Sequence, residues 1–126
     1  MGKKAVLVAD DDSAVRLTLV RFLKMLRMDE ILEAADGQEA IDKVKAAPHL
    51  KLILLDLKMP GMDGLKALEK IKQISPKVHV AILTGYPFYG EADQVVQKLG
   101  AFDFLVKPVD LDYLERIISV AFSDDK

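Results

Sequence analysis

The sequence predicts an α/β fold built from five βα units around a mainly parallel sheet. Short apolar runs rich in β-branched residues alternate five times with stretches of helical period, which is typical of repeated βα units. The run at residues 52–56 is apolar on both faces, as a central strand covered by helices should be. The 126 residues, of which 51% are hydrophobic, suffice for one core, so we expect a single domain over residues 1–126.

The strands and helices follow from the hydrophobic pattern of each unit. Strands are predicted at residues 4–9, 30–34, 52–56, 78–83 and 103–106. The first helix is predicted to begin at Asp12 or Ser13 as its N-cap. Its predicted buried face is Val15, Leu19, Phe22 and Leu26. A third helix starts after Gly64, a fourth covers residues 91–99 with Gly100 as C-cap, and a last helix starts at Asp110.

Two helix starts carry capping signals. Asp36 can accept a hydrogen bond from the first turn of the second helix while Glu39 reaches back, which is the capping-box pattern. Asp12 follows two other acids, but an acid at a helix start is most simply an N-cap that favours the helix dipole. We therefore leave Asp12 out of any metal site.

Composition excludes several classes of function. The formal net charge is -2, so the chain lacks the overall basic field that nucleic-acid binding usually uses. With no cysteine, disulfides, thiol catalysis and thiolate metal sites are excluded, and two histidines are too few for a multi-histidine metal centre. The sequence resembles neither a signal peptide nor a span of ~20 apolar residues. We expect a cytoplasmic protein that contacts neither nucleic acid nor membrane directly.

Charged residues follow three of the predicted strands where each strand ends. Asp10 and Asp11 end the first strand, and Asp56 ends the third. Lys107 follows the fifth strand, and Thr84 ends the fourth. Because the carboxyl ends of parallel strands meet at one edge of the sheet, we expect these side chains to lie together.

Carboxylates gathered in this way need a cation between them. Two carboxylates about 4 Å apart repel by about 4 kcal/mol at an effective dielectric of about 20. A hard divalent ion, Mg²⁺ or Mn²⁺, suits carboxylates, a backbone carbonyl and a phosphate oxygen. Asp56 lies alone at the end of the central strand, and a carboxylate can act as a phosphoryl nucleophile. With Lys107 and Thr84 to position and neutralise the phosphoryl oxygens, these residues predict a phosphoryl-accepting site.

The chain resembles the receiver domain of bacterial two-component response regulators over essentially its full length. The segments that carry the resemblance are VADDD at residues 8–12, LLDLKMPGMDG at 54–64, LTG at 83–85, GAFDF at 100–104 and KP at 107–108. The resemblance implies a doubly wound (βα)5, flavodoxin-like fold with strand order 2-1-3-4-5 and no effector domain within the chain.

The resemblance also implies the roles of the site residues. Asp56 would accept the phosphoryl group from the phosphohistidine of a sensor histidine kinase or a phosphotransfer protein, and would lose it slowly by autodephosphorylation. Asp10, Asp11, Asp56 and the backbone carbonyl of Lys58 would hold the metal ion. Lys107 would pair with the phosphoryl group, and its bond to the following proline would be cis.

A switch is implied as well. Thr84 would move toward the phosphoryl group while the aromatic ring of Phe104 swings inward. The output would appear on the face formed by the fourth helix, the fifth strand and the fifth helix, which would dock a downstream effector or target protein or form a homodimer on phosphorylation. Two features depart from the family pattern: position 104 is Phe rather than Tyr, and the aromatic loop at residues 85–90 is one residue longer than usual.

Three other functions compete with the phosphoryl switch. A non-phosphorylated interaction module could keep the fold and bind partners constitutively, although it has no need for such a charge cluster. An aspartate-dependent phosphatase generally has a second acid two residues after its nucleophile, where this chain has Lys58. A flavin or nucleotide binder would want a glycine-rich phosphate loop after the first strand, where this chain has three aspartates.

Overall fold

The order of the structural elements agrees with the predicted alternation of strands and helices. The structure is a computed structural model that describes residues 3–59, 61, 63–85 and 97–123. Its elements are β1 (Ala5–Ala9), α1 (Ser13–Met25), β2 (Glu30–Ala34), α2 (Gly37–Ala46), β3 (Leu52–Asp56), α3 (Gly64–Ile74), β4 (His79–Thr84), β5 (Asp103–Val106) and α4 (Leu111–Ser123). The helix predicted to start at Asp110 is therefore α4 in this numbering.

The five strands form one parallel sheet in the order β2-β1-β3-β4-β5, which confirms the implied strand order. The register aligns the strand ends: Ala9 lies opposite Ala34 on one side and Leu55 on the other. Asp56 lies opposite Leu83 of β4. The carboxyl ends of β1, β3 and β4 therefore reach the same edge of the sheet.

Helices cover both faces of the sheet, as the doubly wound fold requires. Along β1, alternate side chains belong to different halves of the core: Leu7 packs with residues of α2 and α3, and Val8 packs with residues of α1 and α4. β1 and β3 are buried along their whole length, which explains their continuous apolar sequences.

The capping predictions for α1 and α2 are confirmed. The Asp12 carboxylate accepts hydrogen bonds from the backbone N–H groups of Ala14 and Val15. At α2, Asp36 Oδ1 accepts from the Glu39 N–H at 2.7 Å. The Glu39 carboxylate reaches back to the N–H of Ala35, one residue before the cap, at 2.6 Å.

The buried face of α1 differs from the predicted one. Its fully buried residues are Leu19, Val20 and Leu23, whereas Val15 and Phe22 lie half-buried at the margin. These three residues belong to the half of the core that α1 shares with β1, β3 and α4.

Other boundaries differ slightly from prediction or lie beyond the description. β1 and β4 each begin one residue later than predicted, at Ala5 and His79. Most of the helix predicted at residues 91–99, and the aromatic residues of the loop at 86–89, lie outside the described residues. Gly100 has a positive φ of 94°, the conformation expected of a C-cap glycine.

In the described parts of the chain, no helix is both long and apolar enough to cross a membrane.

Asp36→Ala should destabilise the protein by about 1 kcal/mol, because the N-terminal N–H of α2 loses its acceptor. Urea unfolding followed by far-UV circular dichroism measures this change. Asp42→Ala is the matched control in the same helix, since Asp42 is exposed and its hydrogen bond, accepted from Gln38, lies at the surface rather than at the helix end. An equal loss in both variants would contradict the capping role.

Gly64→Ala should destabilise the protein by about 1–3 kcal/mol through overpacking. An ideal Cβ at Gly64 would lie 2.4 Å from the backbone Cα of Leu57, so the loop after β3 would have to shift. Thermal unfolding measures the effect. Gly85→Ala is the control, because no described residue lies within 4 Å of the corresponding Cβ position, and its stability should be close to that of the wild type.

Candidate functional site

Three polar residues are buried at the carboxyl edge of the sheet. Among the described residues, Asp10, Asp56 and Thr84 are the buried polar or charged side chains, with 0%, 4% and 6% of their surface exposed. They follow or end β1, β3 and β4, which are neighbours in the sheet. The buried polar groups of these strands therefore lie at their carboxyl ends, as the sequence predicted.

Asp10, Asp11 and Asp56 form a group of carboxylates. One oxygen atom from each lies within 4.8 Å of the others. Asp10 and Asp56 are buried, whereas Asp11 is exposed at the rim of the group. At such a separation two buried carboxylates repel each other by roughly 3 kcal/mol at an effective dielectric of about 20, so the group requires positive charge nearby.

Lys107 supplies that charge. Its Nζ lies 2.7 Å from Asp10 Oδ2 and 3.1 Å from Asp56 Oδ2. The backbone N–H of Lys107 donates to the Thr84 carbonyl at 2.7 Å, which ties the residue to the end of β4. The Lys107–Pro108 bond is cis, as the resemblance implied. Residues 10, 56 and 107, far apart in the chain, therefore meet at one point.

Asp10 and Asp56 are held by the same local arrangement. Asp10 Oδ1 accepts from the N–H of Asp12 at 2.9 Å, and Asp56 Oδ1 accepts from the N–H of Lys58 at 3.0 Å. In each case the donor lies two residues along the chain, as in an Asx-turn. The Oδ2 atom of each acid is thereby directed to Lys107.

Burial is the largest influence on the charge state of Asp56. It raises the pKa of Asp56, and the nearby negative charge of Asp10 raises it further, while the hydrogen bonds from Lys58 and Lys107 oppose the rise. Burial lowers the pKa of Lys107, but its hydrogen bonds and charge attraction to Asp10 and Asp56 outweigh that effect and raise it overall. The ammonium is thus firmly charged, and Asp56 is a more basic carboxylate than an exposed aspartate.

Asp10 Oδ2 can serve a cation in addition to Lys107. This buried atom lies 2.7 Å from the Lys107 ammonium, and it has no other partner within the part of the chain that the structure describes. A carboxylate oxygen carries two lone pairs, so it can contact the ammonium and also bind a hard divalent ion. Together with Asp11 and Asp56 it offers oxygen ligands on one side of the site, so the residues present fit a metal of this class.

Thr84, Phe104 and Lys58 lie around this group. Thr84 ends β4 opposite Val106, and Phe104 lies opposite Ile82 on β5. Phe104 is half-buried and packs against the α2 and α3 side of the core. Lys58 lies in the loop after β3, where its backbone forms an isolated antiparallel β-bridge with that of Asp63.

Sequence reasoning missed two sets of contacts. Arg16 in α1 donates to the Asp10 carbonyl at 2.7 Å; the available signal was a cation in the first turn of a helix, where acids are usual. The Tyr113 hydroxyl donates to Asp103 Oδ2 at 2.7 Å. This hydrogen bond is the main reason that the pKa of Tyr113 is raised, and no pattern along the chain indicated the pair.

Comparison with known proteins identifies the family. A family model described as the response regulator receiver domain matches residues 6–119. The response regulator protein PilR of Pseudomonas aeruginosa is 34% identical over 123 residues, which cover 96% of this chain and 26% of PilR. The chain thus spans about a quarter of the length of that relative.

Solved structures agree with this assignment. A CheY-like response regulator receiver domain protein from Methanospirillum hungatei has a TM-score of 0.88 and 29% identity, with 98% of each chain covered. A chain of the CheX–CheY–BeF3–Mg²⁺ complex from Borrelia burgdorferi has a TM-score of 0.84 and 30% identity, covering 92% of this chain and 87% of that one. The family model and these likenesses, together with the observed strand order, establish that the chain belongs to the response regulator receiver domains of two-component systems.

Proposed function

We propose that this receiver domain is a phosphoryl-accepting switch in which Asp56 is the acceptor. The observation that carries the proposal is the Lys107 ammonium between two buried carboxylates, 2.7 Å from Asp10 and 3.1 Å from Asp56. A domain that only binds partners constitutively has no need for a charge cluster buried at this cost. The donor would be the phosphohistidine of a sensor histidine kinase or of a phosphotransfer protein.

The chemistry follows from the environment of Asp56. A carboxylate oxygen of Asp56 forms a bond to phosphorus as the phosphorus–nitrogen bond of the donor breaks, and the bonding electron pair returns to the imidazole nitrogen. Burial raises the pKa of Asp56, which makes its carboxylate a stronger nucleophile. Lys107 and the Lys58 N–H, already at hydrogen-bond distance, are placed to meet the negative charge of the transferred group.

We propose that Mg²⁺, or Mn²⁺ in its place, binds beside Asp56. Asp10, Asp11, Asp56 and the backbone carbonyl of Lys58 would hold it. The bound ion would supply charge that, with Lys107, balances the three carboxylates, so that an incoming phosphoryl group meets a screened site. The exposed position of Asp11 at the rim and the buried Oδ2 of Asp10 support this set of ligands. The Borrelia burgdorferi complex, which contains BeF3 and Mg²⁺, supports the same chemistry by similarity.

The proposed output is a change in partner binding. Thr84 would follow the phosphoryl group and Phe104 would move inward, with packing alone to guide it because phenylalanine has no hydroxyl. β5 and α4 form the described part of the output face, where a groove of about 410 Å³ is lined in part by Phe104, Val106 and Tyr113. A downstream effector or target protein, or a second copy of the domain, would bind there.

The phosphoryl group on Asp56 would be lost slowly by autodephosphorylation. Residues 1–126 would form one receiver domain.

Incubation with acetyl phosphate and Mg²⁺ should add the mass of one phosphoryl group to the intact protein. The carboxylate of Asp56 is the expected acceptor, so Asp56→Asn should abolish the addition. Intact-protein mass spectrometry measures both results. Asp63→Asn is the matched control, since Asp63 is exposed and caps α3 through its bond to Leu65, a role that asparagine retains.

Two results would contradict the assignment of Asp56. If the wild type gains no phosphoryl mass with Mg²⁺ present, the domain is a constitutive interaction module rather than a switch. If Asp56→Asn still gains the mass, the acceptor is another residue.

Mg²⁺ should stabilise the folded protein, because the carboxylates gather only in the native state. Above saturation the free energy of unfolding should rise by about 1.4 kcal/mol for each tenfold increase in Mg²⁺. Asp11→Asn should remove most of this gain. Urea unfolding at a series of Mg²⁺ concentrations, each against an EDTA reference, measures it.

Asp12→Asn is the control for the Mg²⁺ prediction. It removes the same charge one residue away but keeps the α1 cap, because asparagine is as good an N-cap as aspartate. Mg²⁺ should stabilise this variant nearly as much as the wild type. Equal losses in Asp11→Asn and Asp12→Asn would show a general charge effect and overturn the assignment of Asp11 as a ligand.

A further inference from the structure

The guanidinium of Arg16 joins α1 to two strand ends beside the acidic group. Its Nη1 donates to the backbone carbonyl of Asp10 at 2.7 Å, and its Nε lies 3.3 Å from Glu33 Oε1 at the end of β2. The Arg16 side chain is only 20% exposed, and its contact with the Asp10 carbonyl is partly buried, whereas its contact with Glu33 lies at the surface. A charged hydrogen bond in a partly buried place is stronger than one on an open surface.

The Arg16 contact controls the direction of the neighbouring Asp11. The carbonyl of Asp10 belongs to the planar peptide unit that also contains the N–H and Cα of Asp11. When Arg16 fixes that carbonyl, it fixes the position from which the Asp11 side chain leaves the backbone. Within the described residues the exposed Asp11 carboxylate accepts no hydrogen bond, so the backbone, which sets the direction of its Cα–Cβ bond, is the part of the structure that places it.

The remaining contacts of Asp10 show that Arg16 completes a framework. The Asp10 N–H donates to the Ala34 carbonyl at 3.0 Å, and Asp10 Oδ1 accepts from Asp12 at 2.9 Å. Glu33, whose carboxylate accepts a hydrogen bond from Arg16, directly precedes Ala34 in the sequence. The end of β2 therefore anchors Asp10 twice, once through its N–H and once, by way of Arg16, through its carbonyl.

We propose that Arg16 is a positioning residue that holds Asp11 in place for the divalent cation. The inference rests on the proposed function, since it assigns Arg16 a role in the same metal site. The charge of Arg16 and its positioning role predict opposite effects of its removal on Mg²⁺ binding. Loss of a nearby positive charge alone would strengthen Mg²⁺ binding, whereas loss of the anchor would weaken it. Weaker Mg²⁺ binding without Arg16 is therefore specific to positioning.

Isothermal titration of the full chain with MgCl2, without any phosphoryl donor, tests the proposal. The dissociation constant should rise about tenfold in Arg16→Met, as is typical when an outer partner of a metal ligand is lost. Arg16→Lys keeps the charge but not the fork that reaches both Asp10 and Glu33, so its increase should be smaller. Arg21→Met, an exposed arginine of the same helix, should bind Mg²⁺ as the wild type does.

Phosphorylation kinetics give a second measurement, the dependence of the rate on Mg²⁺, which a merely structural role of Arg16 would not change. With acetyl phosphate, the Mg²⁺ concentration for half-maximal rate should rise in Arg16→Met by the same factor as the dissociation constant. The rate at saturating Mg²⁺ should stay close to that of the wild type, because Asp56 and Lys107 are unchanged.

The outcomes separate this inference from the proposed function. If the wild type binds Mg²⁺ and is phosphorylated while Arg16→Met binds Mg²⁺ equally well or more tightly, the role of Arg16 is wrong and the switch stands. If the wild type does neither, both proposals fail. Should Arg16→Met not fold, Arg16→Lys decides: a raised dissociation constant supports the positioning role, and a wild-type value overturns it.

Discussion

The ion pairs of Lys107 with Asp10 and Asp56 are the interaction on which the rest of the site depends. Strands in a sheet lie about 4.8 Å apart, so the end of β5 is separated from β3 by roughly 10 Å and from β1 by roughly 14 Å. A long side chain is needed to cross that gap past the end of β4. The residue that ends β4 is Thr84, whose carbonyl accepts a hydrogen bond from the Lys107 N–H. Without the ammonium, two buried carboxylates would face each other uncompensated.

The loops after β1 and β3 prepare both acids for this pairing in the same way. The Oδ1 atom of each aspartate accepts a hydrogen bond from the N–H two residues further on, and its Oδ2 faces Lys107. Because Oδ1 is already satisfied locally, the orientation of each carboxylate does not depend on a bound ligand. The close approach of Gly64 to Leu57 fixes the second of these loops from the other side. The site is thus preorganised by the backbone, and the charges act on a geometry that already exists.

The sequence was most informative where local chemistry decides the structure. β2, β3 and β5 have their predicted bounds, because apolar runs end abruptly at charged or turn residues. The caps at Asp12 and Asp36 were predictable for the same reason. The buried face of α1 was not, because it depends on how the helix lies in a half of the core that is shared with residues far along the chain, those of α4 among them.

In the candidate site, the meeting of Asp10, Asp56 and Lys107 could be predicted, since it requires only that parallel strands end at one edge. The contact of Arg16 with Asp10 and Glu33 could not, because it depends on how α1 lies against β2. No periodicity within one element contains that information.

Under the proposed function, the shared lysine also indicates how a phosphoryl group on Asp56 would change the structure at the ends of β4 and β5. Phosphorylation adds roughly -1.5 to -2 of charge, which draws the Lys107 ammonium away from Asp10 toward the new group. The backbone of Lys107 is bonded to the carbonyl of Thr84, so movement of its side chain acts on the ends of β4 and β5 together. Val106 lies opposite Thr84 in that pair of strands, and Phe104 lies two residues before Val106. Under the proposed function, a charge placed at the end of β3 would therefore reach the proposed output face through contiguous backbone, and Phe104 would respond through packing because it has no hydroxyl to bond.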